Sequence, residues 1–125
     1  MAKKILVVDD SRTVRQQLGA VLGDAGYEVV QACDGREGLE TIAATPDLSL
    51  VICDLNMPNM NGIDMLEIAK QEPRNASLQI LMLTTDGQSA MMARAKAAGA
   101  RGWIVKPFKP DLLVATVRKL AGSAA

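Results

Sequence analysis

The chain has 125 residues, of which 49% are hydrophobic but only one each is Trp, Tyr and Phe, a composition typical of a folded α/β domain with an aliphatic core. This composition excludes a disordered chain, and because 14 basic residues balance 14 acidic ones, there is no long-range field for binding nucleic acid or an anionic membrane. The absence of His excludes the usual zinc sites and a Ser-His-Asp triad.

The N-terminal segment is not expected to act as a signal peptide. Two lysines precede only a short apolar run, Ile5 to Val8, which ends in two aspartates and does not resemble a signal peptide. No stretch approaches the roughly 20 apolar residues of a membrane span. We therefore expect a cytoplasmic protein, with a single domain over residues 1–125 and a frayed tail at 122–125. Cys33 and Cys53 are predicted to be small buried hydrophobic residues.

Short β-rich runs alternate along the chain with segments of helical periodicity. The predicted strands are Lys4 to Val8, Glu28 to Ala32, Leu48 to Cys53, Gln79 to Thr84 and Gly102 to Val105. The predicted helices run from the possible caps Ser11 and Thr13 to near Gly26, around Leu39 to Ala43, from Gly62 to before Pro73, over Met91 to Gly99, and over Leu113 to Leu120. This alternation predicts a doubly wound, flavodoxin-like parallel sheet in the order 2-1-3-4-5, with five helices completing a three-layer α/β sandwich.

Polar residues stand where four of these strands end. Asp9 and Asp10 follow the first strand, Asp54 follows the third, Thr84 ends the fourth and Lys106 follows the fifth. Because ligands of such sheets bind beyond the carboxyl ends of the strands, where the strand order reverses, we expect these side chains to converge. Three carboxylates with one lysine leave a net negative set of oxygen ligands, which suits Mg²⁺.

This constellation predicts phosphoryl chemistry on a carboxylate. Asp54 is the candidate nucleophile, which would form an acyl phosphate, while Asp9 and Asp10 hold the metal. Lys106 would pair with Asp54 before the reaction and with the phosphoryl group afterwards, and Thr84 would donate a hydrogen bond to that group. Taken alone, Asp9 and Asp10 fit a turn with capping acids, and Lys106 fits an ordinary loop. The complete set in this order favours a functional site.

Four segments resemble the receiver domains of bacterial response regulators, most closely those of the chemotaxis CheY type. They are VVDDS at Val7 to Ser11, DLNMPNMNG at Asp54 to Gly62, LTT at Leu83 to Thr85, and KPF at Lys106 to Phe108. The resemblance covers nearly the whole chain. It implies a phosphorylation-activated response regulator that accepts a phosphoryl group on Asp54 from a sensor histidine kinase and catalyses its own phosphorylation and dephosphorylation.

The resemblance also implies roles for further residues. Asn56 would add its backbone carbonyl to the metal ligands, and a cis peptide bond is expected before Pro107. Thr84, Thr85 and Trp103 would form the switch, although family members usually carry Tyr or Phe at the Trp103 position. Whether Trp103 turns inward, faces a partner or is simply a half-buried edge-strand residue stays open.

Asn56 and Asp86 resemble the polar pair that positions attacking water in short-lived receivers, which predicts fast self-dephosphorylation. Output is expected through protein contacts of a monomer, on the surface of the fourth helix, fifth strand and fifth helix. There Trp103 is flanked by cations that could instead be only solvated, namely Arg94, Lys96, Lys109, Arg118 and Lys119. The expected partners are the kinase, a downstream protein such as the flagellar motor switch, and a phosphatase, with no nucleic acid or membrane.

The expected pathway is chemotaxis and control of the flagellar motor, but other functions stay open. A stand-alone receiver could serve a phosphorelay or another pathway unrelated to motility. An FMN-binding flavodoxin shares the strand order, but it needs a phosphate-binding loop after the first strand. Here that loop begins with Asp9 and Asp10, which would repel phosphate. A Mg²⁺-dependent phosphatase with an Asp nucleophile is disfavoured because Asn56 interrupts the Asp-x-Asp pattern of such enzymes.

Overall fold

The computed structural model describes residues 2–57, 60–85 and 89–124. Its strands are β1 (Lys4–Val8), β2 (Glu28–Ala32), β3 (Leu48–Asp54), β4 (Gln79–Thr84) and β5 (Gly102–Val105). Its helices are α1 (Arg12–Asp24), α2 (Gly35–Ala44), α3 (Gly62–Gln71), α4 (Ser89–Ala97) and α5 (Pro110–Ala121), with a short 3₁₀ turn at Pro73–Asn75. The predicted alternation of strands and helices is confirmed, with β3 one residue longer because Asp54 still pairs with β4.

The five strands form one parallel sheet in the order β2-β1-β3-β4-β5, which confirms the predicted flavodoxin-like topology. The central strands β1 and β3 are almost wholly buried, because their nearly continuous apolar runs are covered on both faces. All five carboxyl ends therefore meet at one edge of the sheet. The strand order reverses between β1 and β3, which pair from Lys4 with Leu48 to Val8 with Cys53.

Helices cover both faces of the sheet and complete the predicted three-layer sandwich. Alternate strand residues such as Ile5 and Ile52 pack with Leu18 and Leu22 of α1 and with Leu113 of α5. The opposite face of the strands packs against α2, α3 and α4 through the buried residues Ile42, Ile63, Met65, Leu66 and Ala95. Met91 also packs against this second cluster.

Side-chain caps begin three of the helices. Ser11 accepts a hydrogen bond from the backbone N–H of Val14 at 3.3 Å, so Ser11 rather than Thr13 is the cap of α1. Asp34 and Asn61 cap α2 and α3 in the same way. Within the described ranges, no helix combines the length and apolar character that crossing a bilayer requires.

The tail and the two cysteines are the remaining local features. In the tail, Tyr27 Oη donates to the Gly122 carbonyl at 2.6 Å and the backbone N–H of Lys3 donates to the Ala124 carbonyl at 3.0 Å. These bonds tie the described part of the tail to the amino ends of β1 and β2. Cys53 is buried as predicted, but Cys33 is exposed because it lies beyond the end of β2, where its thiol contacts Glu37.

Candidate functional site

The carboxyl edge of the sheet gathers the polar side chains that the sequence singled out. Asp9 directly follows β1 and is fully buried, Asp54 ends β3 with 4% of its surface exposed, and Thr84 ends β4 with 3% exposed. Asp10 is exposed beside them. One oxygen each from Asp9, Asp10 and Asp54 lies within 4.8 Å of the others, so the three carboxylates form a single cluster.

Lys106 closes this acidic cluster. Its Nζ lies 2.9 Å from Asp9 Oδ2 and 3.2 Å from Asp54 Oδ1, so one ammonium group bridges two buried carboxylates. The strand end is held in place because the backbone N–H of Lys106 donates to the Thr84 carbonyl at 2.6 Å. The peptide bond between Lys106 and Pro107 is cis, as the resemblance implied.

The electrostatics of the cluster shift two pKa values. Burial, reinforced by the negative charge of Asp9, raises the pKa of Asp54 even though Lys106 acts to lower it. Burial alone lowers the pKa of Lys106, but its contacts with Asp9 and Asp54 outweigh that effect and raise it. Lys106 therefore stays charged, and the remaining negative charge around Asp54 is not fully neutralised by protein groups.

The cluster is suited to a hard divalent cation. Its donors are carboxylate oxygens from three residues, which Mg²⁺ prefers over nitrogen or sulfur ligands. Asp9 Oδ2 is buried and, among the described residues, has no aligned hydrogen-bond donor, only the Lys106 ammonium as an ion-pair partner. Because Asp10 is exposed, the cluster is open to solvent on that side. The residues therefore fit a metal ion that keeps some of its waters.

Two residues that support the site were missed by sequence reasoning. Arg15 of α1 donates from Nη1 to the main-chain carbonyl of Asp9 at 2.6 Å. Gly62 begins α3 directly against β3: its N–H donates to the Leu55 carbonyl at 2.9 Å, and a Cβ at this position would overlap the Asp54 carbonyl oxygen. The sequence offered only the glycine at a helix start as a signal, since Arg15 looks like an ordinary surface arginine.

The switch candidates lie beside the cluster. Trp103 on β5 is 38% exposed, and its ring borders a small apolar pocket together with Thr84 and the α4 residues Met91, Met92 and Ala95. Thr85 is exposed just beyond β4. Trp103 is therefore partly exposed and lines the same pocket as Thr84 and three residues of α4.

The remaining predictions concern Asn56, Asp86 and the cations of the expected output surface. Asn56 is exposed one residue past Leu55, and Asp86 lies outside the described residues. Arg94, expected among the cations near Trp103, instead pairs with Asp64 at 3.0 Å and Glu67 at 2.7 Å on α3. The other predicted cations of this surface are exposed, namely Lys96, Lys109, Arg118 and Lys119.

Known proteins are similar to this chain in sequence. The response regulator receiver domain matches residues 5–118. The chain is 39% identical over 121 residues to chemotaxis protein CheY1 of Helicobacter pylori, covering 96% of this chain and 98% of that protein. It is 40% identical over 124 residues to chemotaxis protein CheY of Thermotoga maritima, covering 97% and 99% of the two chains.

Solved structures agree with these sequence matches. Chemotaxis protein CheY4 of Vibrio cholerae superposes with a TM-score of 0.91 at 39% identity, covering 96% of this chain and 99% of that one. A chain of the CheX-CheY-BeF₃-Mg²⁺ complex from Borrelia burgdorferi superposes with a TM-score of 0.87 at 26% identity, covering 94% and 87%. Both are similar to this chain over nearly their full lengths.

A flavodoxin-like sheet with an acidic cluster at its carboxyl edge is the architecture of a signalling receiver. The chain belongs to the response regulator receiver domain family. It is therefore a phosphorylation-activated response regulator of two-component signal transduction, a family in which an aspartate is the phosphorylated residue. Its phosphodonor is a histidine kinase, and its output passes to a downstream target.

Proposed function

We propose that Asp54 is the phosphoacceptor of this response regulator. The observation that carries the proposal is the bridge from the Lys106 ammonium to Asp9 and Asp54 within a cluster of three carboxylates. An Asp54 oxygen would form the bond to phosphorus while the bond between phosphorus and the donor imidazole nitrogen breaks. Lys106 would then pair with the phosphoryl oxygens, and the Thr84 hydroxyl would donate a hydrogen bond to one of them.

Mg²⁺ is the proposed cofactor of this reaction. Asp9, Asp10 and Asp54 would hold it with carboxylate oxygens, and Asn56 with its backbone carbonyl. When bound, it would supply positive charge for the oxygens of the transferred group. The fit of the donor set supports this choice, because a net negative cluster of oxygen ligands would otherwise keep its carboxylates in mutual repulsion.

The lone Trp allows a direct test of the switch. Trp103 fluorescence should change when Mg²⁺ is added and again when beryllofluoride or a small phosphodonor follows, because Thr84 and Trp103 line the same small pocket. The control is Asp54→Asn, which keeps the side-chain shape but cannot form the acyl phosphate. Identical responses from the wild type and this variant would refute the proposal.

Self-dephosphorylation is proposed to be fast. Asn56 and Asp86 match the polar pair that positions water in short-lived receivers of this family, so the phosphorylated form should decay within minutes or less in Mg²⁺. Replacing Asn56 with Lys should lengthen that lifetime by placing a bulky cation at the entrance to the site. A lifetime of hours for the wild type would contradict this assignment.

Chemotaxis is the proposed pathway, with the flagellar motor switch as the downstream target. The names of the full-length relatives support it. One similar chain occurs in a complex with CheX, which supports a further partner, here proposed to be a phosphatase. We also propose that the protein is cytoplasmic and monomeric. If beryllofluoride-activated protein binds no motor-switch component while unrelated phosphorelay proteins exchange phosphoryl groups with it, the phosphorelay alternative takes its place.

A further inference from the structure

Hydrogen bonds hold both the main chain and the side chain of Asp9. Its backbone N–H donates to the Ala32 carbonyl at 3.1 Å, and its Oδ1 accepts from the backbone N–H of Ser11 at 2.8 Å. The carbonyl of Asp9 lies past the last paired residues of β1 and β2, which are Val8 and Ala32. A carbonyl of a fully buried residue needs a donor, and the parallel ladder no longer provides one at this point.

Arg15 supplies that donor. Long side chains on a helix lean toward its N-terminus, so a residue in the first turns of α1 can reach back to the end of β1. Nη1 of Arg15 donates to the Asp9 carbonyl at 2.6 Å, and Nε donates to Gln31 Oε1 on β2 at 3.3 Å. Two contacts made by one rigid, planar guanidinium fix its orientation as well as its position.

This carbonyl belongs to the peptide unit that joins Asp9 to Asp10. A peptide unit is planar, so holding its oxygen also sets the direction of the Asp10 N–H and the positions of both Cα atoms. The two carboxylates of the proposed Mg²⁺ pair extend from those Cα atoms. We infer that Arg15 is a positioning residue for the metal site, which acts by fixing the peptide plane between Asp9 and Asp10.

The inference rests on the proposed Mg²⁺ site. It predicts that removing Arg15 changes the Mg²⁺ affinity in the opposite direction from a purely electrostatic effect. If Arg15 acted only through its charge, removing that cation from the neighbourhood of an acidic cluster would make Mg²⁺ bind more tightly. If Arg15 orients the peptide plane, removing it lets the carboxylates reorient, and Mg²⁺ binds more weakly. The direction of the change therefore separates the two roles.

The experiment measures the Mg²⁺ dissociation constant of the unphosphorylated full chain by isothermal titration calorimetry. Arg15→Gln should weaken binding by about tenfold, the lower end of the effect of residues that orient metal ligands. Arg15→Lys keeps the charge but loses the planar pair of donors, and it should weaken binding by a smaller factor. Arg12→Gln, which removes an exposed cation from the same helix, is the matched control and should leave binding unchanged or slightly tighter.

Urea unfolding of each variant checks that it is folded, and if Arg15→Gln does not fold, Arg15→Lys carries the test. Mg²⁺ binding to Arg15→Gln or Arg15→Lys that is as tight as in the wild type, or tighter, would overturn the inference. Failure of the proposed Mg²⁺ site itself would give another result. Asp9→Asn and Asp10→Asn would then not weaken Mg²⁺ binding, or the wild type would not bind Mg²⁺ at all, and Arg15 would have no metal ligands to position.

Discussion

At Asp54, burial and a neighbouring carboxylate act in the same direction, and the single lysine nearby does not cancel them. The pKa of Asp54 is raised, so the ionised form is less favourable in the folded chain than in water. We predict that Asp54→Asn is more stable than the wild type by about 1 kcal/mol at pH 7. Urea unfolding in the presence of a chelator, which removes divalent metal ions, measures this difference. The thermal midpoint of the variant should rise by a few degrees.

The pH dependence of this difference follows from linkage. Because the folded pKa is raised, the stability that a protonated Asp54 contributes is present at low pH and is lost as the pH rises through the folded pKa. The advantage of Asp54→Asn should therefore be largest at neutral pH and shrink on acidification. Glu40→Gln, which neutralises an exposed carboxylate on α2, is the control and should change little. An Asp54→Asn variant less stable than the wild type at pH 7 would show that the Lys106 pair dominates instead.

At the scale of elements, the start of α3 sets the position of the end of β3. A Cβ at Gly62 would overlap the Asp54 carbonyl oxygen and come within 2.9 Å of Met82 Cε, so a larger residue must push α3 away from the strand. We predict that Gly62→Ala lowers the free energy of unfolding by about 2 kcal/mol, as overpacking does, and slows phosphorylation of Asp54. Urea unfolding and phosphorylation by a small phosphodonor measure the two effects.

Gly23→Ala is the matched control for that substitution. Gly23 lies in α1, and a Cβ there would meet nothing within 4 Å. Alanine is a better helix former than glycine, so this variant should gain up to about 1 kcal/mol. Opposite signs for the two substitutions would assign the loss at Gly62 to its contact with β3, whereas equal effects would contradict that contact.

Most elements were predictable because they carry local signals. The strands are short apolar runs, and Ser11, Gly26 and Pro73 mark helix ends that the structure places within a few residues. Convergence of Asp9 and Asp54 followed from the topology alone, since parallel strands end at one edge.

Contacts between elements were not predictable in the same way. Arg15 and Arg94 look like solvated cations in the sequence, yet one bonds the Asp9 carbonyl and the other bonds two acids of α3. The exposure of Cys33 depends on where β2 stops, which is the least certain feature of a sequence-based strand prediction. The bonding partners of Arg15 and Arg94 depend on how closely the helices and strands pack, and no local sequence pattern predicts that spacing.

At the scale of the whole molecule, the parallel sheet separates two edges with different roles. The carboxyl edge carries the acidic cluster, and the amino edge carries the bonds that tie the chain ends together. At the amino edge Tyr27, which is 4% exposed, donates to the Gly122 carbonyl at 2.6 Å, and Lys3 Nζ donates to the Ala121 carbonyl at 2.6 Å. We therefore expect that stability can be lowered at the amino edge without disturbing the geometry at the carboxyl edge.

Tyr27→Phe tests this separation, because it removes one hydrogen bond while keeping the ring in the core. We predict a loss of about 1 kcal/mol in the free energy of unfolding, since Gly122 is partly exposed and water could replace the lost donor. The Mg²⁺ dissociation constant and the Trp103 response to beryllofluoride should stay at wild-type values. If either changes together with stability, the two edges are coupled through the sheet, and the chain ends would then contribute to the switch.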